Sequence, residues 1–255
     1  MEKIHISLQA ETLGYILGLP ITNSIILSLV AGLVLVGGGL LIARSLKPIP
    51  GKAQNTAELL IDGALTFTTQ ILGERKQALK FFPLVATIFF FILFNNWLGV
   101  LPGIGSLGIR ENVHGEEEFT PLLRPASADL NTTLALALIA VVAIQIFAIQ
   151  KLGFAKQISK YFDFRHGVIH FFVGLLELVG EFARILSFSF RLFGNMFAGE
   201  VLLIIMLAIL PIFATFGALP FFFLEYFVGF IQALVFAMLT LVFIKVATTE
   251  IEPMH

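Results

Sequence analysis

The chain has 255 residues, of which 58% are apolar and only 13% charged, with a mean hydropathy of +0.95. A soluble domain carries about 25% charged residues, so this composition excludes a solvated globular surface, and it equally excludes disorder, which needs little apolar content. With 16 basic against 17 acidic residues and no cysteine, nucleic acid has no electrostatic handle, and disulfides, thiolate metal sites and thiol nucleophiles are excluded.

The first 22 residues lack a cationic start, an apolar core and a small-residue cleavage site, so no cleaved signal peptide is expected and residues 1–23 read as a tail. Residues 24–43 form a charge-free run of 20, long enough to cross a hydrocarbon core of about 30 Å. Within it Gly37–Gly39 would let the helix pack closely on a neighbour. Residues 51–73 have another character. Ala57, Leu60, Ile61, Ala64, Phe67 and Ile71 recur at three- and four-residue spacing, with Glu58, Asp62, Thr66 and Gln70 on other faces. This predicts an amphipathic helix in the headgroup plane, with a short helix facing water as the alternative.

A second span is expected at 81–101 and a third at 131–150, separated by an acidic loop at 102–130. A basic loop at 151–167 leads to two longer apolar stretches, 168–210 and 219–249, parted by Pro211 and Pro220. The predicted fold is all-α and polytopic, with five membrane helices and one interfacial helix in a single membrane domain and no internal repeat. Segments 44–80 and 151–167 together hold 10 basic residues, against 3 in the tail and the acidic loop. Basic flanks stay in the cytoplasm, so the N-terminus is expected outside and the C-terminus, after five crossings, inside.

The fourth stretch contains Glu177, Glu181, Arg184, Arg191 and Glu200, and the fifth contains Glu225. Each such group costs at least about 2.5–3.5 kcal/mol at bilayer depth and normally faces a partner or a water-filled path. At 100° per residue, Glu177, Arg184, Ser187, Arg191 and Asn195 lie within about 40° of one line, while Glu200 points the opposite way about 13 Å further on. The 43 residues would make about 65 Å of helix, twice the hydrocarbon thickness. A break at Gly194-Asn195 would leave a piece too short to span, so a continuous helix inclined by roughly 60° is expected, beyond the ordinary range of about 0–40°. Glu225 and Gln232, seven apart, share one face of the fifth helix. Arginine keeps its proton whereas glutamate exchanges one. A fixed cation among carboxylates therefore suggests a barrier between two proton-accessible cavities. The alternative is that Arg191 pairs with Glu177 or Glu181 inside the bundle.

Other signals carry less. Gly103–Gly108 spells a dinucleotide fingerprint, but that motif needs a strand before it and a helix after it. No phosphate-binding loop ends in Gly-Lys-Ser/Thr, so ATP chemistry is not expected on this chain. His166 and His170 are four apart but lack the glutamate of a zinc hydrolase motif. No cofactor and no metal are expected.

The run RLFGNMFAGE, Arg191 to Glu200, resembles the signature of subunit a of bacterial F-type ATP synthases. The resemblance extends to ADLN at Ala128–Asn131, NNWLGVLPG at Asn95–Gly103, and Glu225 with Gln232, and so covers the chain from about Phe81 onward. It implies a proton-conducting stator subunit of the cell (inner) membrane that clasps a ring of c subunits with two long, strongly tilted helices. Its implied partners are that c-ring, the b-subunit peripheral stalk, the other synthase subunits and the lipid bilayer, with ATP chemistry done elsewhere in the complex. By the same similarity Arg191 faces the carboxylate of each passing c subunit, displaces its proton and separates two half-channels. Asn195, Glu200, Glu225 and Gln232 match the outer half-channel, with Asp129 and Asn131 at its mouth, while Glu177 and Ser187 line the cytoplasmic one. Some relatives carry a His-Glu pair where this chain has two glutamates. The coupling ion is expected to be a proton, with sodium left open. Two other classes stand beside this reading: a stand-alone secondary ion transporter, which often shows paired repeats and broken helices, and a non-conducting assembly scaffold, which would tolerate loss of Arg191 and Glu225.

Overall fold

The computed structural model describes residues 10–113, 116–161, 168–209 and 214–249. Residues 1–9 of the expected tail, residues 162–167 with His166, and the break at Leu210 and Pro211 lie outside the described residues.

Two segments expected to be irregular form hairpins. β1 (Thr12–Ile16) pairs antiparallel with β2 (Leu19–Thr22) around Leu17-Gly18, whose φ angles are 53° and 82°. Two consecutive residues at positive φ are what a two-residue hairpin of the right twist requires, and Gly18 takes that conformation without a side-chain clash. In the acidic loop β3 (Gly108–Val113) pairs with β4 (Glu116–Pro121). The all-α expectation therefore holds for the long elements and not for these connections. The Gly103–Gly108 run follows a helix and leads through one 3₁₀ turn, Ile104–Ser106, into β3, the reverse of the strand-to-helix order a dinucleotide site needs.

The described residues also form a 3₁₀ turn at Ala126–Ala128 and seven α-helices: α1 (Asn23–Arg44), α2 (Lys52–Leu72), α3 (Arg75–Val100), α4 (Leu130–Leu152), α5 (Phe154–Tyr161), α6 (Val168–Ile209) and α7 (Ala214–Thr248). By length and composition four segments suffice to cross a membrane: α1, α3, α4 and Leu219–Thr248 of α7. α3 begins six residues before the expected span: Arg75, Lys76 and Lys80 are good helix formers, and Ala78 among them is fully buried. α7 starts at Ala214 and contains Pro220, which removes one backbone donor near the helix start and does not end the helix. α5 forms inside the expected basic loop. α6 runs unbroken through Gly194-Asn195 for 42 residues.

Large apolar side chains face outward, among them Leu33, Val36 and Leu41 on α1, Leu176 and Phe182 on α6, and Phe223 and Phe227 on α7. Polar ones such as Asn23, Asn96, Thr133, Ser189 and Gln232 are buried. This inverted distribution belongs to a polytopic membrane protein, in which the apolar exterior meets lipid.

α7 packs along α3 and α4, and α6 along α4 and α7. α4 brings Ala137, Ala140 and Ala148 to the contact, each fully buried, so the backbones approach closely. One cluster joins Ile88 and Ile92 of α3, Phe188, Leu192 and Met196 of α6, and Phe236 of α7. A second joins Leu65 and Leu72 of α2 to Phe81 and Val85 of α3 and Leu241 of α7. On α2 the buried stripe is Leu65, Thr68 and Leu72, whereas Leu60, Ile61 and Phe67 of the predicted apolar stripe stay exposed. Lys245 Nζ of α7 donates to the Ile71 carbonyl at 2.7 Å, a cation at the C-terminal end of α2. α1 buries Asn23, Ser24, Leu27 and Ala31 near its start, and Gly37–Gly39 meet open space.

The segment between β4 and α4 is clamped on α3. A Cβ at Gly99 would fall 2.6–2.8 Å from Pro125, including its backbone Cα. A proline ring and a backbone atom cannot swing away as a long side chain can. Gly99→Ala is therefore expected to destabilise the fold by about 1–3 kcal/mol, read as a lower thermal midpoint of the purified protein in detergent.

Candidate functional site

α6 turns two unlike faces outward and inward. Phe188, Ser189, Leu192 and Met196 are buried against α4 and α7. On the open side lie Gly180, Ala183, Ser187, Arg191, Gly194 and Ala198, all exposed and all small except the arginine. Arg191 Nη2 donates to Ser187 Oγ, one turn earlier, at 3.4 Å. Among the described residues no carboxylate pairs with Arg191. The guanidinium stands at the edge of an open cleft of about 340 Å³ lined by Gly180, Ala183, Arg184 and Ser187 of α6 and Leu239 and Phe243 of α7.

Arg184, on the same line, is fully engaged. Its Nη1 donates to the Glu181 carboxylate at 2.8 and 3.0 Å, and its guanidinium carbon lies 3.9 Å from the centre of the Phe243 ring. The pairing that the sequence left open for Arg191 is thus taken by Arg184. Glu177 is half-buried two turns before Arg184. Near this end Tyr161 of α5 donates to Gln145 Oε1 of α4 at 3.4 Å. Burial and then the Glu181 and Glu177 charges push its phenol above the usual value, with the Gln145 hydrogen bond opposing them.

On the other side of Arg191 the antiparallel α6 and α7 bring four predicted residues together. Asn195 Nδ2 donates to Gln232 Oε1 at 2.8 Å. Seven residues away on α7, Glu225 is 5% exposed and its carboxylate lies against Gly199, so closely that a Cβ there would overlap all three carboxyl atoms. Glu225 Oε1 and Gln232 Nε2 are buried without a protein partner, which leaves a polar line along this face of α7. Glu200 points away from Arg191, as its 180° offset requires, and is gripped by Arg124. Nε of Arg124 lies 3.0 and 3.1 Å from the two carboxylate oxygens and Nη2 3.0 Å from Oε2.

Asp129 sits apart from this group in its bonding. It caps α4 by accepting from the Asn131 amide at 3.1 Å, and its other oxygen accepts from Ser24 Oγ at 2.9 Å and Thr132 Oγ1 at 3.1 Å. The Asn131 side chain is exposed.

The ATP synthase A chain family matches residues 25–245. The chain belongs to that family. Among its relatives are the ATP synthase subunits a of Syntrophobacter fumaroxidans, 36% identical over 214 residues (83% of this chain, 78% of that one), and of Campylobacter jejuni, 34% identical over 208 residues (80% of each). The subunit a of Geotalea uraniireducens is 31% identical over 254 residues, 98% of this chain and 93% of the relative. The family match spans Arg124, Asp129, every predicted site residue of α6, and Glu225 and Gln232 of α7.

Two residues of this site were not singled out from the sequence of this family member. In the sequence Arg124 reads as one of the two basic charges of the acidic loop. Its signal was a basic residue in the apolar run Pro121–Ala126, opposite a glutamate with no helix neighbour to pair with. Gly199 stood unremarked inside the signature, because only the α7 packing shows what its missing side chain admits.

Proposed function

We propose that this chain is the proton-conducting stator subunit of a rotary F-type ATP synthase. One observation carries this reading: on the 42-residue α6, Arg191 presents its charge outward, bordered by Gly180, Ala183, Ser187, Gly194 and Ala198, and among the described residues no carboxylate of its own chain pairs with it. A guanidinium at such depth needs a counter-charge. The carboxylate carried by a passing c subunit supplies one transiently, and glycine, alanine and serine around Arg191 let a neighbouring helix slide past without steric catches.

In this reading α6 and α7, with α1, α3 and α4, make five membrane elements, and α2 lies at the cytoplasmic interface with Leu60, Ile61 and Phe67 towards lipid. α6, about 63 Å long as a helix of 42 residues, runs strongly inclined along the ring. Glu177 and Ser187 belong to the cytoplasmic half-channel. Asn195, Gln232, Glu225 and Glu200 belong to the outer one, and the Asp129 cap holds α4 to α1 beside its mouth. Arg191 separates the two because it keeps its proton. Each unit charge crossing 100 mV releases about 2.3 kcal/mol, so several translocations drive one ATP synthesis elsewhere in the complex. The expected setting is the cell membrane with the N-terminus outside, in contact with the c-ring, the b-subunit stalk and the other synthase subunits.

Disulfide mapping in the assembled complex tests the orientation. Cysteine at Gly194 or Ala198 is expected to cross-link to cysteines scanned along the outer helix of the c subunit, and cysteine at the buried Met196 is not. Absence of any cross-link from the Arg191 face would overturn the reading.

A further inference from the structure

Arg124 belongs to the connection between β4 and α4, and its guanidinium reaches across to α6. Its side chain is 6% exposed and that of Glu200 21%. The three contacts to the Glu200 carboxylate form a directional fork, and a buried pair of this kind cannot lose one member without stranding the other. The arm that carries it is itself anchored, since the next residue, Pro125, is seated on Gly99 of α3. The Phe197 ring lies 5.9 Å from the guanidinium carbon. Glu225 is the contrasting carboxylate. It is more buried, one of its oxygens has no partner, and no cation pairs with it among the described residues.

We propose that Arg124 is a positioning residue of the outer half-channel, which holds Glu200 as a permanently paired carboxylate and so leaves Glu225 as the group that exchanges protons there. This inference rests on the rotary reading above. Among the described residues the charges facing the pair are Arg124 on Glu200 and the Glu200 carboxylate on Glu225 across α6 and α7. Among the described residues the other elements bring uncharged groups and one further acid, Asp129. Asn96 of α3 donates to the Gly229 carbonyl, and Thr133 of α4 is bonded to Ser189. The phenol of Tyr226 packs edge-on against Trp97, and Asp129 is engaged by Ser24 and Thr132. Without Arg124, two buried carboxylates would share one site and titrate as a coupled pair that keeps one proton tightly.

The test uses the whole complex in inverted vesicles, with ATP synthesis measured after an acid–base jump as lumenal pH is varied. Arg124→Gln is expected to move the midpoint of the lumenal pH profile to the alkaline side by about one unit, with a several-fold lower maximal rate. Arg124→Lys, which keeps the charge, is expected to bring the midpoint back. An unshifted midpoint in assembled Arg124→Gln complexes overturns the inference. If Arg124→Gln leaves no subunit in the complex, Glu225→Gln decides: the inference requires the pH-dependent phase to vanish, and its persistence would show that Glu200 exchanges protons instead. Arg191→Ala in the same preparation keeps the two levels apart. Continued synthesis in that variant refutes the rotary reading, whereas a dead Arg191→Ala beside an unshifted Arg124→Gln refutes only the role given to Arg124.

Discussion

Arg191→Ala is expected to reduce ATP-driven proton uptake by inverted vesicles to background, a loss of at least about a hundredfold, while the complex still assembles. The fold has no stake in this guanidinium. Arg191 is exposed, its one hydrogen bond is a long contact to Ser187, and the core it borders is built from Phe188, Leu192 and Met196. Stability is therefore expected to change by no more than about 0.5 kcal/mol, as for an ordinary surface substitution. In the proposed mechanism transport depends on the charge itself, because without it nothing displaces the proton from an arriving carboxylate. The same vacancy removes the barrier, so a passive leak that dissipates an imposed pH gradient is also expected. Lysine restores a charge but not the planar fork, and it can give up its proton; Arg191→Lys is expected to stay far below wild type. Coupled pumping by Arg191→Ala at more than a tenth of the normal rate would contradict the mechanism.

Gly199→Ala is expected to produce the second large effect, with the opposite signature to Gly99→Ala. At Gly99 the obstacle is a proline ring and backbone, so the fold must yield. At Gly199 the obstacle is the carboxylate of Glu225, the free end of a flexible side chain, which can rotate away at little cost. The protein should then fold and assemble with a thermal midpoint close to wild type, while the carboxylate leaves its position near the Asn195–Gln232 pair. Pumping is expected to fall by about tenfold or more, in line with the sensitivity of positioned groups to displacements of about 1 Å. Adding Glu225→Asp, which withdraws the carboxylate by one methylene, should recover part of the loss. A Gly199→Ala complex that pumps normally would show that the close approach is idle.

The long helices were legible because apolar content and run length are local properties. The stripe through Ser187, Arg191 and Asn195 followed from helical periodicity alone, and α6 does run unbroken where that stripe requires it. The hairpins were not legible. β1 and β2 turn on Leu17-Gly18, and a leucine at positive φ advertises nothing, whereas Asn-Gly or Asp-Gly would have. α2 misled in another way. Its spacing points to Leu60, Ile61 and Phe67, which stay exposed as an interfacial helix requires, but gives no sign of the second stripe, Leu65, Thr68 and Leu72, that packs on the bundle. Amphipathic spacing finds an apolar face without saying whether protein or lipid covers it. The Arg124–Glu200 pair was hidden for a topological reason: 76 residues separate the partners, and only the return of the loop onto α6 brings them together.

The engagement of Arg184 bears on how a rotor would move past α6. Two guanidiniums lie on one line about 10 Å apart, and if both were open, a travelling anion would fall into two successive energy wells and need two escapes for each step. With Glu181 neutralising the first and the Phe243 ring covering it, the proposed track would offer a single shallow stopping point per subunit, with the torque required to leave it set by one residue.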